Sequence, residues 1–91
     1  MNVVDTNQHR GEFFRVLQQT KRSQTAVMTI APGEEAGPAE EHHADQIVYV
    51  IDGEAVVTID KEERRAGAIH HVRNPGRTPL FFLTVYAPPE Y

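Results

Sequence analysis

The chain has 91 residues, enough for one domain, and a domain this small buries only a limited share of its surface, so pairing with another copy is an attractive way to cover apolar area. A hydrophobic fraction of 40% fits a folded globular protein, and a net charge of −4, with Arg64-Arg65 neutralised by Glu62-Glu63, argues against a nucleic-acid footprint. There is no cysteine, which excludes disulfides, zinc fingers, iron–sulfur clusters and thiol nucleophiles.

The segment Met1-Asn2-Val3-Val4-Asp5 has neither a basic nor an apolar signal-peptide region, and the apolar runs fall far short of the ~20 residues that span a bilayer. The expectation is a cytoplasmic protein, one domain over residues 1–91, with residues 1–11 as an N-terminal arm. Phe13, Phe14, Val16 and Leu17 form a short apolar stretch, and residues 18–22 read as a turn. Residues 25–31 (TAVMTIA) are rich in β-branched side chains, a strand signature closed by Pro32-Gly33. Residues 33–41 read as a loop. Residues 46–51 (QIVYVI) and 55–59 (AVVTI) are two strong strands, and Asp52-Gly53 between them is a hairpin signal. Asp60-Lys61 and Asn74-Pro75-Gly76 read as further turns, and residues 80–86 (LFFLTVY) form a last strand stopped by Pro88-Pro89.

No segment carries a 3.6-residue period, so the pattern predicts an all-β sandwich or barrel of at least six strands and no helix longer than about two turns. In residues 46–51 both alternate sets, Gln46/Val48/Val50 and Ile47/Tyr49/Ile51, are largely apolar. Such a strand is expected to be buried on both sides. The first set would line an interior, with the second under a covering segment or a second subunit, and a homodimer is expected.

Four of the five histidines fall in two adjacent pairs, His42-His43 and His70-His71. Neighbouring strand residues point to opposite faces, so one member of an extended pair can face inward. Adjacent histidines alone are commonly surface residues, and His9, with no evident partner, reads as a solvated residue of the arm.

The surroundings of the pairs form a pattern. Pro32-Gly33-Glu34-Glu35, then Glu40-x-His42-x-x-x-Gln46 with Gly53 seven residues on, resembles the first motif of the cupin superfamily, and His70-x-x-x-Asn74 resembles the end of its second motif. The stretch from Pro79 to Pro88 is similar to the family's last strand. In particular the chain resembles small single-domain cupins of the type with a Glu-x-His-x-x-x-Gln first motif.

The resemblance implies a jelly roll, a double-stranded β-helix of two packed antiparallel sheets with a cavity. It also implies a divalent metal ion (zinc, manganese, iron or nickel) held by Glu40, His42, Gln46 and His70. The family's usual three His and one Glu are redistributed, with the formal ligand charge kept at −1, and a mixed nitrogen and oxygen donor set suits those metals. A small oxygenated molecule would be bound or transformed there, by isomerase-like or dioxygenase-like chemistry. The alternative is a non-catalytic, sugar-like binding module with a structural metal or none. The second motif also departs in length, because Ala66-Gly67-Ala68 runs directly into Ile69-His70, about ten residues short. Either a hairpin is absent, or a segment between Gly67 and Ile69 is missing from the sequence, which predicts a break near Ala68.

Overall fold

The computed structural model describes residues 3–37, 40, 41, 44–59 and 69–91. Among them, seven strands form two antiparallel sheets, and the helical content is one 3-10 turn, Thr6–His9. Strands β1 (Arg15–Gln19), β2 (Gln24–Ile30), β4 (Asp45–Asp52) and β7 (Leu80–Ala87) make a four-stranded sheet in the order β1-β2-β7-β4. Strands β3 (Glu40–Glu41), β5 (Val56–Ile59) and β6 (Ile69–Arg73) make a three-stranded sheet in the order β3-β6-β5. The all-β, two-sheet expectation therefore holds. The expected break near Ala68 and the Asp60-Lys61 turn lie outside the described residues.

The core follows from strand alternation. Gln24, Ala26, Met28 and Ile30 of β2 stand opposite Tyr86, Thr84, Phe82 and Leu80 of β7, so they share one face of the larger sheet. Met28, Ile30, Leu80 and Phe82 cluster with Val72 of β6, which makes this the face turned toward the smaller sheet. Each large apolar side chain fully buried there contributes roughly 1.5–3 kcal/mol.

The outward face of the larger sheet is also apolar, and the N-terminal arm covers part of it. The Arg10 guanidinium lies 4.7 Å from the ring centre of buried Phe81 and reaches Asp52 at 3.2 Å. Gly11 N–H donates to Thr29 Oγ1 (2.9 Å), and Thr29 N–H donates to the Glu12 carbonyl (2.9 Å). His9 is not the solitary residue expected: its Nδ1 lies 2.9 Å from Glu12 Oε2, closing the arm on itself. Ile47 and Tyr49, beyond the arm on β4, are 63% and 67% exposed.

Three further expectations change. Residues 18 and 19 belong to β1, and the turn is closed later, by Thr20 N–H donating to the Ser23 carbonyl (2.8 Å). Asp52-Gly53 is not a hairpin, because β4 pairs with β7 and β5 pairs with β6, so the turn carries the chain from one sheet to the other. Gly53 has φ +91°, and a Cβ there would lie 2.6 Å from the Pro79 carbonyl oxygen. The glycine thus serves a close backbone crossing as well as a turn. The alternation along β4 also breaks, because a bulge falls between Val50 and Asp52. Ile51 is half-buried rather than outward, while Val50, on the sheet's edge strand, is 41% exposed.

Asn74 ties the two sheets together at the apolar end. It is fully buried; Nδ2 donates to the carbonyls of Ile30 (2.9 Å) and Thr78 (2.8 Å), and Oδ1 accepts from Gly76 N–H (2.9 Å). The last bond is the Asx turn that Asn-Pro-Gly signals. Its backbone pairs with Gly33 and Glu34, which lays the loop after β2 along β6.

Candidate functional site

The inward face of the larger sheet is graded from apolar to polar. At one end Ile30 and Leu80 stand opposite each other, followed by Met28, Phe82 and Val50. Next come Ala26, Thr84 and Val48, and the last row is Gln19, Gln24, Tyr86 and Gln46, spanning all four strands. Gln24, Thr84 and Tyr86 are buried and Gln46 is half-buried. Polar side chains in such positions need partners. Gln46 Nε2 donates to Thr84 Oγ1 at 3.0 Å and to Tyr86 Oη at 3.4 Å. With its nitrogen engaged on the wall, the end of the Gln46 amide suited to a cation is the carbonyl oxygen Oε1.

At the other end of the row, Gln24 Nε2 donates to Gln19 Oε1 (3.0 Å) and to the main-chain oxygen of Tyr91 (2.6 Å), while Gln24 Oε1 accepts from Tyr91 N–H (3.1 Å). The Tyr91 ring packs edge-on against Phe14 and Tyr86, with centroid separations of 5.4 Å in both cases. Glu90 Oε1 accepts the backbone N–H of Ala44 at 2.8 Å.

The smaller sheet contributes through its register. Glu40 of β3 stands directly opposite His70 of β6, and Ile59 of β5 flanks His70 on the other side. Two positions along β6 from His70 is Val72, a member of the core. Three residues separate β3 from β4, and chain of that length spans little more than ~14 Å. Glu41 and Asp45, the facing ends of the two strands, are therefore within that distance of each other.

Of the four expected ligands, the structure sets Glu40 and His70 opposite each other in strand register and places Gln46 on the inner wall of the facing sheet. His42 lies outside the described residues, as does His43. Among the described residues no three His, Cys, Asp or Glu side chains gather at one point. Asn74, the last residue of the second motif, serves the fold rather than this end of it.

Thr84, Tyr86, Gln24, Glu90 and Tyr91 were not among the expected site residues. Thr84 and Tyr86 carry a signal, since they are the polar members of one alternate set, Leu80, Phe82, Thr84 and Tyr86, in an otherwise apolar strand. Gln24, Glu90 and Tyr91 carry none, because their roles arise from contacts between residues far apart in the chain. No helix among the described residues is long and apolar enough to cross a membrane.

Comparison with known proteins gives these features a context. The family described as the cupin domain matches residues 26–86, from β2 to β7. Over 107 aligned positions the chain is 25% identical to the uncharacterized protein YrkC of Bacillus subtilis; the match takes in all of this chain and 58% of that protein. The chain thus spans little more than half the length of that curated relative. The 107 positions exceed the 91 residues of the chain, so the relative carries additional residues within the matched region.

Among solved structures, BH2720 from Bacillus halodurans superposes with a TM-score of 0.85 at 29% identity, covering 99% of this chain and 83% of that one. An RmlC-like cupin family protein with a double-stranded β-helix fold from Methanocaldococcus jannaschii gives a TM-score of 0.72 at 20% identity, over 82% of this chain and 78% of that one. The second likeness concerns the fold alone.

Proposed function

Because this chain belongs to the cupin domain family, we propose that it is a metal-binding cupin in which Glu40, His42, Gln46 and His70 hold one divalent ion beside a small oxygenated molecule. The observation that carries this reading is the register of β3 and β6, which sets a carboxylate residue and an imidazole residue directly across from each other. Gln46 supports it from the facing sheet, with its amide nitrogen turned to Thr84 and Tyr86. Glu40 would give an anionic oxygen, Gln46 a neutral oxygen, and the two histidines neutral nitrogens. That set suits zinc, manganese, iron or nickel. A bound ion would supply Lewis-acid or redox chemistry of the isomerase-like or dioxygenase-like kind. Thr84 and Tyr86 would orient the weakest of the four ligands, and outer partners of this sort typically change metal affinity 10–100-fold.

A second reading is favoured by a separate observation. Gln46, Thr84 and Tyr86 bring a neutral amide, a hydroxyl and a phenol together on one wall, groups that recognise hydroxyls. A non-catalytic module binding a sugar-like molecule, with the metal structural or absent, would use the same wall.

Elemental analysis of the purified chain separates the two. About one equivalent of a transition metal, largely lost in His42→Ala and retained in His43→Ala, is the expected result. Loss in His43→Ala instead would move the ligand register by one residue. Full-length protein that stays metal-free when loaded with zinc or manganese would leave the binding-module reading.

A second copy of the chain is the partner we propose for the outer surface of β4. There exposed Ile47 and Tyr49 stand opposite half-buried Val85 and Leu83. A domain this small gains proportionally more from covering such a patch than a large one does.

A further inference from the structure

The residues after β7 do more than end a strand. Ala44 is buried two residues before Gln46, and its N–H is held by the Glu90 carboxylate at 2.8 Å. A hydrogen bond to an ionised acceptor is among the stronger ones available to a backbone amide. The next residue, Tyr91, is fixed by both ends of its own backbone: its N–H and its main-chain oxygen meet the two ends of the buried Gln24 amide, at 3.1 and 2.6 Å. Its ring then sets its edge against Tyr86, the residue whose hydroxyl receives the Gln46 amide nitrogen. One short stretch of chain therefore acts on Gln46 from two directions. It holds the backbone at the entry to β4 through Ala44, and it braces the phenol that orients the side chain.

We propose that Glu90, carried on a tail anchored by Tyr91 and Gln24, is a positioning residue for Gln46, fixing the start of β4 so that the Gln46 carbonyl oxygen is held toward the interior. This rests on the reading of Gln46 as a metal ligand and deepens it. In this role Glu90 acts on Gln46 through the Ala44 N–H. A residue that merely covered the core would affect stability alone, whereas a positioning residue affects the geometry and affinity of the site.

The test compares the full chain with Glu90→Ala and Glu90→Gln, using cobalt(II) as a spectroscopic divalent probe. Three quantities are read: cobalt affinity by chelator competition, the visible spectrum of the cobalt form, and amide hydrogen exchange at Ala44 in the metal-free protein. Glu90→Ala is expected to weaken cobalt binding about tenfold or more. It should also alter the visible bands, speed Ala44 exchange about tenfold and lower the metal-free thermal midpoint by several degrees, as loss of the acceptor for a buried N–H requires. Glu90→Gln keeps an oxygen that can accept the Ala44 N–H, and should return all three readouts toward the parent.

Unchanged affinity and spectrum in Glu90→Ala, with the parent binding cobalt normally, overturns the positioning role and leaves the metal reading intact. A parent that binds no cobalt overturns the metal reading instead. The positioning is then judged on the Gln46 side-chain amide protons by NMR: faster exchange in Glu90→Ala, restored in Glu90→Gln, upholds it, and no difference overturns it.

Discussion

Replacing Asn74 by alanine tests whether one buried amide holds the apolar end of the sandwich together. Asn74 is 1% exposed, and the substitution removes three hydrogen bonds at once. The buried Ile30 carbonyl loses a donor where water does not easily follow, a situation that costs about 1–3 kcal/mol. The partly buried Thr78 carbonyl and Gly76 N–H can recover some solvation, so each loses nearer the net worth of an ordinary bond, about 1 kcal/mol or less. The expected total is roughly 3 kcal/mol, a large part of the 5–15 kcal/mol that typically separates a small domain from its unfolded state. For a chain of this length that corresponds to a fall in thermal midpoint of about 12–24 °C. Urea denaturation monitored by circular dichroism measures it, as a lower midpoint at unchanged slope. Asn74→Asp provides the control: it keeps an acceptor for Gly76 but turns a carboxylate oxygen toward two carbonyls, so it should be at least as damaging. A loss below about 1 kcal/mol in Asn74→Ala would refute the reasoning, and so would an aspartate variant better tolerated than the alanine one.

Gly53→Ala should be far more costly than Gly11→Ala, although both glycines have φ above +90°. The first meets backbone atoms at 2.6 and 3.0 Å and is expected to lose roughly 2–4 kcal/mol, while the second meets nothing within 4 Å and should lose only the ~1–2 kcal/mol of an L-residue in that conformation, as denaturation midpoints will show. Ile47→Glu should convert the chain to a monomer in sedimentation at micromolar concentration with its circular dichroism spectrum unchanged; a parent that is already monomeric there would remove the homodimer.

The strands were legible in the sequence because β-branched and aromatic runs between turn residues leave little else for those segments to become. Residues 25–31 and 80–86 lie within a residue of β2 and β7. What the sequence did not disclose was which strand pairs with which. Asp52-Gly53 carries the same local signature whether it closes a hairpin or lifts the chain into a second sheet, and the choice is made by Pro79 and Leu80 passing beside it, more than 25 residues away. The bulge after Val50 is likewise invisible in a window where every alternate residue is apolar. For the candidate site, Glu40 and His70 could be singled out by spacing, and the register of β3 and β6 sets them opposite each other. The buried partners of Gln46 could have been suspected from Thr84 and Tyr86, but Gln24 clasping Tyr91 depends on two residues 67 apart in the chain.

The order β1-β2-β7-β4 also dictates when this protein can fold. The central pair of the larger sheet joins residues 24–30 to residues 80–87, and β4 has no partner in that sheet until β7 arrives. Closing so long a loop costs entropy before any contact compensates it, which is why architectures dominated by distant pairings assemble slowly. On the ribosome, β1 and β2 emerge early, yet they can form only a two-stranded ribbon, which is marginal in water. Cooperative folding must therefore wait until β7 has left the exit tunnel. Until then Met28, Ile30 and Val48 have no Leu80 or Phe82 to pack on, and these apolar side chains are exposed to aggregation.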